Sequence, residues 1–578
     1  MKDGEIMKKI ICVLIILGNL LLLASCNIVI KTKTDKVTDS FVTTSDKAEF
    51  EKRHKTNHNN FYKNGDELIF DEATSPAPTS SESDSGETSS TTLVVEGIDE
   101  ADTIKNNDRY IFYANGYNLT IIDTNDDKAS DYQFDNYIDG LYLKDDLLVV
   151  ISSSYENGIF FSYRYSSTMN VYYYDLKELN AGKINLLNRY QFDNASYGDS
   201  RMIDGNLYLM YRNNLFENNK FINPTYSINK EKEEIPLDNI MIYDNADSYD
   251  NYAEAISLIN QDNQVITKEF YGISCSLAAF KDNFYFYFVE WNWKNDYYGY
   301  SENSTHFLRM DITDNNMAIK GEISQKGTIN NIFSVDEYED TFRVVTTYTV
   351  ENYHDYHNVM ATYDVKDDNF SLLDSLEFAS DESVYSVRFE NEKAYVVTYL
   401  YIDPLFEFDL KDPKNIQILR ELKSPGVSDY LDYINEDFIL GIGRITIEHD
   451  GGDFQYATSG GIKLSLFSLD NEEMVEEYTY IYPYEYSYSG VLYNHHLLVK
   501  LENSLTYFMP LYGNGRQEYF DGVVGFQIDL DNRTIIDLGS VNTYGRFVVV
   551  ASKLYLCSHD TVSAYETTLG MKLIKNIK

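Results

Sequence analysis

Residues 391–409 read NEKAYVVTYLYIDPLFEFD. A polar turn, Asn391 to Lys393, leads into an apolar run. After a short break, a second run ends in an apolar residue followed by Asp409. Alternating apolar residues bounded by Asn, Asp and Gly turns are the mark of short strands. The unit recurs along the chain. Turn-plus-strand pieces stand at 106–113 (NNDRYIFY), 144–152 (KDDLLVVIS), 204–211 (DGNLYLMY), 281–288 (KDNFYFYF), 339–346 (EDTFRVVT), 435–442 (NEDFILGI), 494–501 (NHHLLVKL) and 551–558 (ASKLYLCS). Their partners end at Asp123, Asp175, Asp244, Asp311, Asp364, Asp470, Asp529 and Glu566.

Nine units, each with room for four strands, predict an all-β chain folded as a β-propeller, whose ring closure protects the blade edges. Propellers usually stop at about eight blades. The first and last units are therefore expected to share a blade: eight blades are favoured, with nine as the alternative. The recurrent Asp is expected to bond to the backbone of the following turn rather than to form a ring of ligands. The insert between Asn213 and Ile240 and the loop 290–305 should decorate one face.

Composition agrees. Tyr (52) and Phe (31) are abundant while Pro (9) and Trp (2) are scarce, a balance suited to pleated, half-buried surfaces. The chain has 578 residues with 92 acidic against 48 basic side chains, a net charge of −44. Phosphate binding needs dense Lys and Arg, so nucleic acid is excluded as a partner, as is a basic patch resting on anionic lipid. A monomer is expected.

The N-terminus carries targeting information. Lys8 and Lys9 precede an apolar stretch that ends Leu23-Ala24-Ser25-Cys26. This is the anatomy of a secretory signal, and its ending resembles the lipobox of bacterial lipoproteins. The resemblance implies a signal peptide over 1–25, cleavage before Cys26 and lipidation of its sulfur. It implies a protein outside the cytoplasm, held to the bacterial cell membrane by that anchor. Residues 26–92 are expected to be a flexible tether, because 71–92 are dominated by Ser and Thr and contain no Lys or Arg. A coil of roughly 65 residues reaches about 45 Å. A short apolar patch, ELIF at 67–70, interrupts it. The propeller is expected over 93–578. Cys275 and Cys557 should be buried free thiols in non-adjacent blades.

Residues 394–398 (AYVVT), 403–406 (DPLF), 409–415 (DLKDPKN), 422–431 (LKSPGVSDYL) and 440–443 (LGIG), together with VEGIDEADTIKNN at 95–107, resemble a bacterial and archaeal family of secreted proteins. These proteins have a C-terminal β-propeller distantly related to WD repeats. The resemblance implies the fold and an extracytoplasmic site, and carries over no catalytic residue. Asp432 departs from the pattern, which has a histidine after SDYL.

Serine-hydrolase, zinc-protease, P-loop and EF-hand signatures are missing. His354, Asp355 and His357 read as a solvated loop, and His495-His496 as part of a turn. Glu96, Asp99, Glu100 and Asp102 fall within seven residues and form the candidate metal site. Clustered carboxylates suit Ca²⁺, the candidate cofactor; the competing expectation is that Lys105, Arg109 and backbone amides satisfy them. Tyr-rich stretches, 296–300 and 480–490, offer rigid amphipathic contact area. Three functional readings follow. The first is a surface binding module for protein, peptide or glycan. The second is a hydrolase or lyase using channel-mouth carboxylates. The third is a cation-stabilised structural surface protein.

Overall fold

The computed structural model describes residues 34–64, 88–89, 93–154, 167–246, 249–293, 301–350, 355–399, 403–424, 426–450, 455–484, 486–501, 503–515, 519–559, 561–567 and 570–578. Cys26, the signal segment, ELIF 67–70, His354 and Tyr-rich 296–300 lie outside them. The chain is nearly all β, and among the described residues no helix is long and apolar enough to cross a membrane.

Nine blade sheets follow one another in the described chain. Their innermost strands are Ile104–Asn106, Tyr137–Lys144, Ala195–Ile203, Ser276–Ala279, Val335–Tyr338, Ser383–Glu390, Val427–Asn435, the pair Tyr486–Tyr488 and Val499–Leu501, and Arg546–Val550. We number the blades 1 to 9 in that order. Each later strand pairs antiparallel with the one before it. Burial falls outward: in blade 6 Lys393–Tyr399 is mostly buried, whereas in blade 9 the outermost Leu573–Asn576 is exposed along its length.

Nine apolar clusters each join two neighbouring blades, and they close a ring. They run from blades 1 and 2 through Phe112, Leu119, Leu148 and Val150 to blades 8 and 9 through Phe508, Val523, Phe547 and Val549. The last joins blade 9 to blade 1 through Val548, Tyr555, Ile104 and Ile122. The favoured number of eight is therefore replaced by nine. The first and last units do not merge, because each completes four strands from its own consecutive sequence. The chain ends meet differently. Ser89 N–H donates to the Val549 carbonyl at 2.8 Å, and Asn106 Nδ2 donates to the Ser89 carbonyl at 2.7 Å.

The repeat's Asp does what its chemistry suggests. Asp175, Asp311, Asp364 and Asp409 each accept from the backbone N–H two residues on, at 2.8–3.0 Å. Asp529 instead accepts from the Asn532 N–H, three residues on, and Asp470 from the Ser468 and Asn471 side chains; Asp244 follows an extra strand, Ile240–Tyr243, and the third strand of blade 3 is Tyr252–Ile259. The motif DLKDPKN is a turn clamped to blade 5, where Thr362 Oγ1 donates to the Pro413 carbonyl at 2.6 Å. In LGIG, a Cβ on Gly443 would meet the Val427 carbonyl oxygen at 1.7 Å. The insert after Asn213 does not decorate a face. Its hairpin Thr225–Ile228 and Glu231–Glu234 extends the outer edge of blade 2. Cys275 and Cys557 are buried free thiols, in the clusters of blades 3–4 and 9–1.

Part of the span expected to be flexible is built into the fold. Phe41–Thr44 pairs with Ile240–Tyr243 on the outer edge of blade 3. The helix Lys47–Asn64 follows, and its Phe50 is fully buried against Phe216, Phe221 and Tyr271. His54 Nδ1 lies 2.6 Å from Tyr271 Oη. Burying two phenylalanines at about 1.5–3 kcal/mol each helps offset the ordering entropy that Ser/Thr-rich chain cannot.

Candidate functional site

Propeller blades surround a central channel, and residues 94–103 run along its wall against the neighbouring blades. Val94 and Val95 pack at blades 4 and 5. Ile98 packs between blades 3 and 4. Glu100 pairs with Arg201 on the inner strand of blade 3, and Asp102 bridges to Leu141 of blade 2. Ile104–Asn106 then becomes the inner strand of blade 1. The family motif VEGIDEADTIKNN is thus the segment that threads the channel.

Threading decides what the four carboxylates meet, and they do not converge on one cation. Glu96 is exposed on the preceding turn. Asp99 pairs with Lys105 Nζ at 2.6 Å, and that ammonium also donates to the Glu100 carbonyl at 2.7 Å. Asp102 Oδ1 accepts from Arg546 Nη1 of blade 9 at 2.6 Å. Glu100, 4% exposed, places Oε2 at 2.9 Å from His495 Nε2 and 3.4 Å from His496 Nε2. Its Oε1 lies 3.7 Å from Arg201 Nε, and Arg201 also holds Asp199 at 2.5 Å. In place of the expected four-carboxylate cluster, Asp99, Glu100 and Asp102 each have a basic neighbour of their own. Of the expected partners, Lys105 is present, whereas Arg109 binds Asp123 at 2.6 Å.

The electrostatics follow from burial and neighbours. Burial alone would raise Glu100, but Arg201 and the imidazoles outweigh it and hold the carboxyl well below the usual range. Burial opposes ionisation of Asp102 too, yet Arg546 and His496 hold it at about 2. Burial, with His495 adjacent, pushes His496 down to about 3, so its imidazole is neutral at physiological pH. Asp99 moves the other way, raised by burial against the pull of Lys105.

His495 and His496, read from sequence as part of a turn, are therefore partners of Glu100 in the channel. Their adjacency was the only local signal, since Glu100 lies 395 residues away. Asp432, where the family pattern has histidine, is 1% exposed on the inner strand of blade 7; it accepts from Tyr507 Oη at 2.8 Å and pairs with Lys500 at 3.1 Å. His357 stacks on Tyr348 and lies 3.2 Å from Asp355.

A second feature lies where the loops leading into blades 5 to 8 meet. A cleft of about 570 Å³ is bordered by Asn331, Tyr356, Tyr385, Asp429, Arg444 and Tyr493. Arg444 and Asp429 form a two-pronged pair at 2.6 and 3.0 Å. Along blades 8 and 9, Tyr486, Tyr488, Tyr493, Tyr512, Tyr519 and Tyr544 are exposed. Of the Tyr-rich stretch 480–490, Tyr482 instead belongs to the core, while Tyr486 and Tyr488 face solvent.

Comparison with known proteins adds relatives of similar sequence. An uncharacterised protein of Archaeoglobus fulgidus is 29% identical over 282 residues, covering 47% of this chain and 40% of that protein. An uncharacterised protein of Methanocaldococcus jannaschii is 33% identical over 198 residues, 34% of this chain and 29% of that protein. The chain thus spans less than half the length of the curated relatives it matches. The family model described as the beta propeller domain matches residues 88–569, from the Ser89 contact that closes the ring to the last blade, and the chain belongs to that family.

Proposed function

We propose that the protein is a lipid-anchored, extracytoplasmic propeller acting as a binding module for a glycan of the cell envelope. Fold alone does not set function; the observation that carries the reading is the open, polar cleft over blades 5 to 8 beside a row of exposed tyrosines. Tyrosine faces stack on sugar rings, and the Asp429–Arg444 pair offers donors and acceptors to hydroxyls. Of the channel carboxylates, Asp99 and Asp102 are paired with Lys105 and Arg546 and Glu100 is buried, so glycan recognition is assigned to the loop face.

The anchor sets the geometry. From Cys26 to Thr34, where blade 3's outer edge begins, is eight residues. Eight residues span at most about 28 Å, which holds that edge closer to the lipid than a 65-residue coil would.

The test uses the secreted chain carrying Cys26→Ser, screened on glycan arrays and against envelope extracts. Binding should appear and should weaken about tenfold or more in Tyr385→Ala/Tyr493→Ala with melting unchanged, since stacked aromatics dominate such contacts. Binding of peptide alone would reassign the ligand. No binding, or binding indifferent to both tyrosines, refutes the reading.

A further inference from the structure

We infer that Glu100, His495 and His496 form a mononuclear site for a divalent transition metal of the zinc class, set in the central channel between the threading segment and blade 8. One ligand atom from each residue lies within 4.8 Å of the others. Two of the separations, 2.9 and 3.4 Å from Glu100 Oε2 to the imidazole nitrogens, bracket the roughly 3.3 Å expected between ligands about 2.0–2.1 Å from a tetrahedral ion. Two imidazoles and a carboxylate are donors for Zn²⁺ and its neighbours, not for Ca²⁺, which takes oxygen alone. Three protein ligands leave a fourth position for water.

The surroundings suit a cation. Asp99, Glu100, Asp102 and Asp199 face Lys105, Arg201 and Arg546, which leaves one negative charge unbalanced among the seven. Arg201 and the Val94 N–H lie on the Oε1 side, which leaves the two imidazoles as the neighbours of Oε2, and Arg201 supplies the outer contact that orients a ligating carboxylate. The protein alone does not complete the cluster. His495 Nδ1 and Asp102 Oδ2, in residues 2% and 6% exposed, have no hydrogen-bond partner among the described residues. Buried groups left so are uncommon and call for a further partner such as an ordered water; with Nε2 on the metal, His495 Nδ1–H is the outer donor of a ligating imidazole. The metal joins residues 395 positions apart and pins the threading segment across the channel.

The test is a titration of metal-stripped Cys26→Ser protein with Zn²⁺, Co²⁺ and Ca²⁺. The expected result is one equivalent of Zn²⁺, a tetrahedral nitrogen–oxygen Co²⁺ spectrum and no response to Ca²⁺. His496→Ala should weaken Zn²⁺ binding by more than about a hundredfold while circular dichroism stays native. X-ray absorption of the zinc-loaded wild type, which needs no variant, should show two imidazoles in the metal's shell. No stoichiometric binding, an all-oxygen shell, or binding unchanged in His495→Ala/His496→Ala would overturn the inference. Glycan binding is read separately and stands or falls without it.

Discussion

Replacing Arg546 by methionine strands the Asp102 carboxylate inside the channel. In the wild type Arg546 Nη1 lies 2.6 Å from Asp102 Oδ1, with the two side chains 11% and 4% exposed. The remaining bond to that oxygen is a long one, from Ile104 N–H at 3.3 Å, and Oδ2 has no hydrogen-bond partner among the described residues. Removing one member of a buried pair costs about 3–5 kcal/mol, and this geometry puts Arg546→Met toward the upper end. The pair ties the threading segment to blade 9, so the loss falls on ring closure. A pH signature accompanies it. Asp102 is lowered from 3.8 to about 2, so the unfolded chain binds more protons, and about 2 kcal/mol of stability is present above pH 4 and drains away between about 4 and 2. In Arg546→Met the desolvation that Arg546 had overcome takes over, and the carboxyl should rise above 3.8. Stability should then fall, not rise, as pH increases from about 4. Urea unfolding at neutral pH and melting curves down the acid limb measure both effects. Asp102→Asn/Arg546→Met should recover more than half of the loss. A cost below about 1 kcal/mol, typical of exposed pairs, or an unchanged acid limb in Arg546→Met, would refute the reasoning.

Other outcomes follow from single contacts. Glu269 is fully buried, bonded through Oε1 to Asn213 at 2.9 Å, and desolvation raises its carboxyl from 4.5 to about 7. A raised acid loses stability as pH climbs from about 4.5 to 7, by about 3 kcal/mol, so Glu269→Gln should melt higher than wild type at mildly alkaline pH and match it in acid. Gly443→Ala drives a methyl into the Val427 carbonyl and should cost about 3 kcal/mol or more, seen as a lowered melting midpoint or lost soluble yield; a neutral result would disprove the close approach. Phe50→Ala removes a fully buried ring stacked on Phe216 at 5.5 Å, a loss of about 3–5 kcal/mol. It should expose 34–64 to limited proteolysis while the ring of blades keeps its melting midpoint.

The sequence by itself determined the repeat, the strand type and the turn role of the recurrent Asp. These are local: alternation along a few residues decides which face is buried, and a carboxylate at a strand end reaches the amide two residues on. Glu100 and Asp102 stood out as acidic in a short motif, and Cys275 and Cys557 read correctly as thiols without a bridge. Only the tertiary structure decided the rest. Nine blades rather than eight depended on whether the chain ends merge or pack, which turns on Val548, Tyr555 and Ile104 meeting across the ring. The anchoring of 34–64 depended on Phe50 finding aromatic partners more than 160 residues away. The channel cluster draws Glu100, Arg201 and His495 from the threading segment, blade 3 and blade 8. No spacing along the chain encodes that meeting, because ring closure, not sequence proximity, brings those side chains into contact.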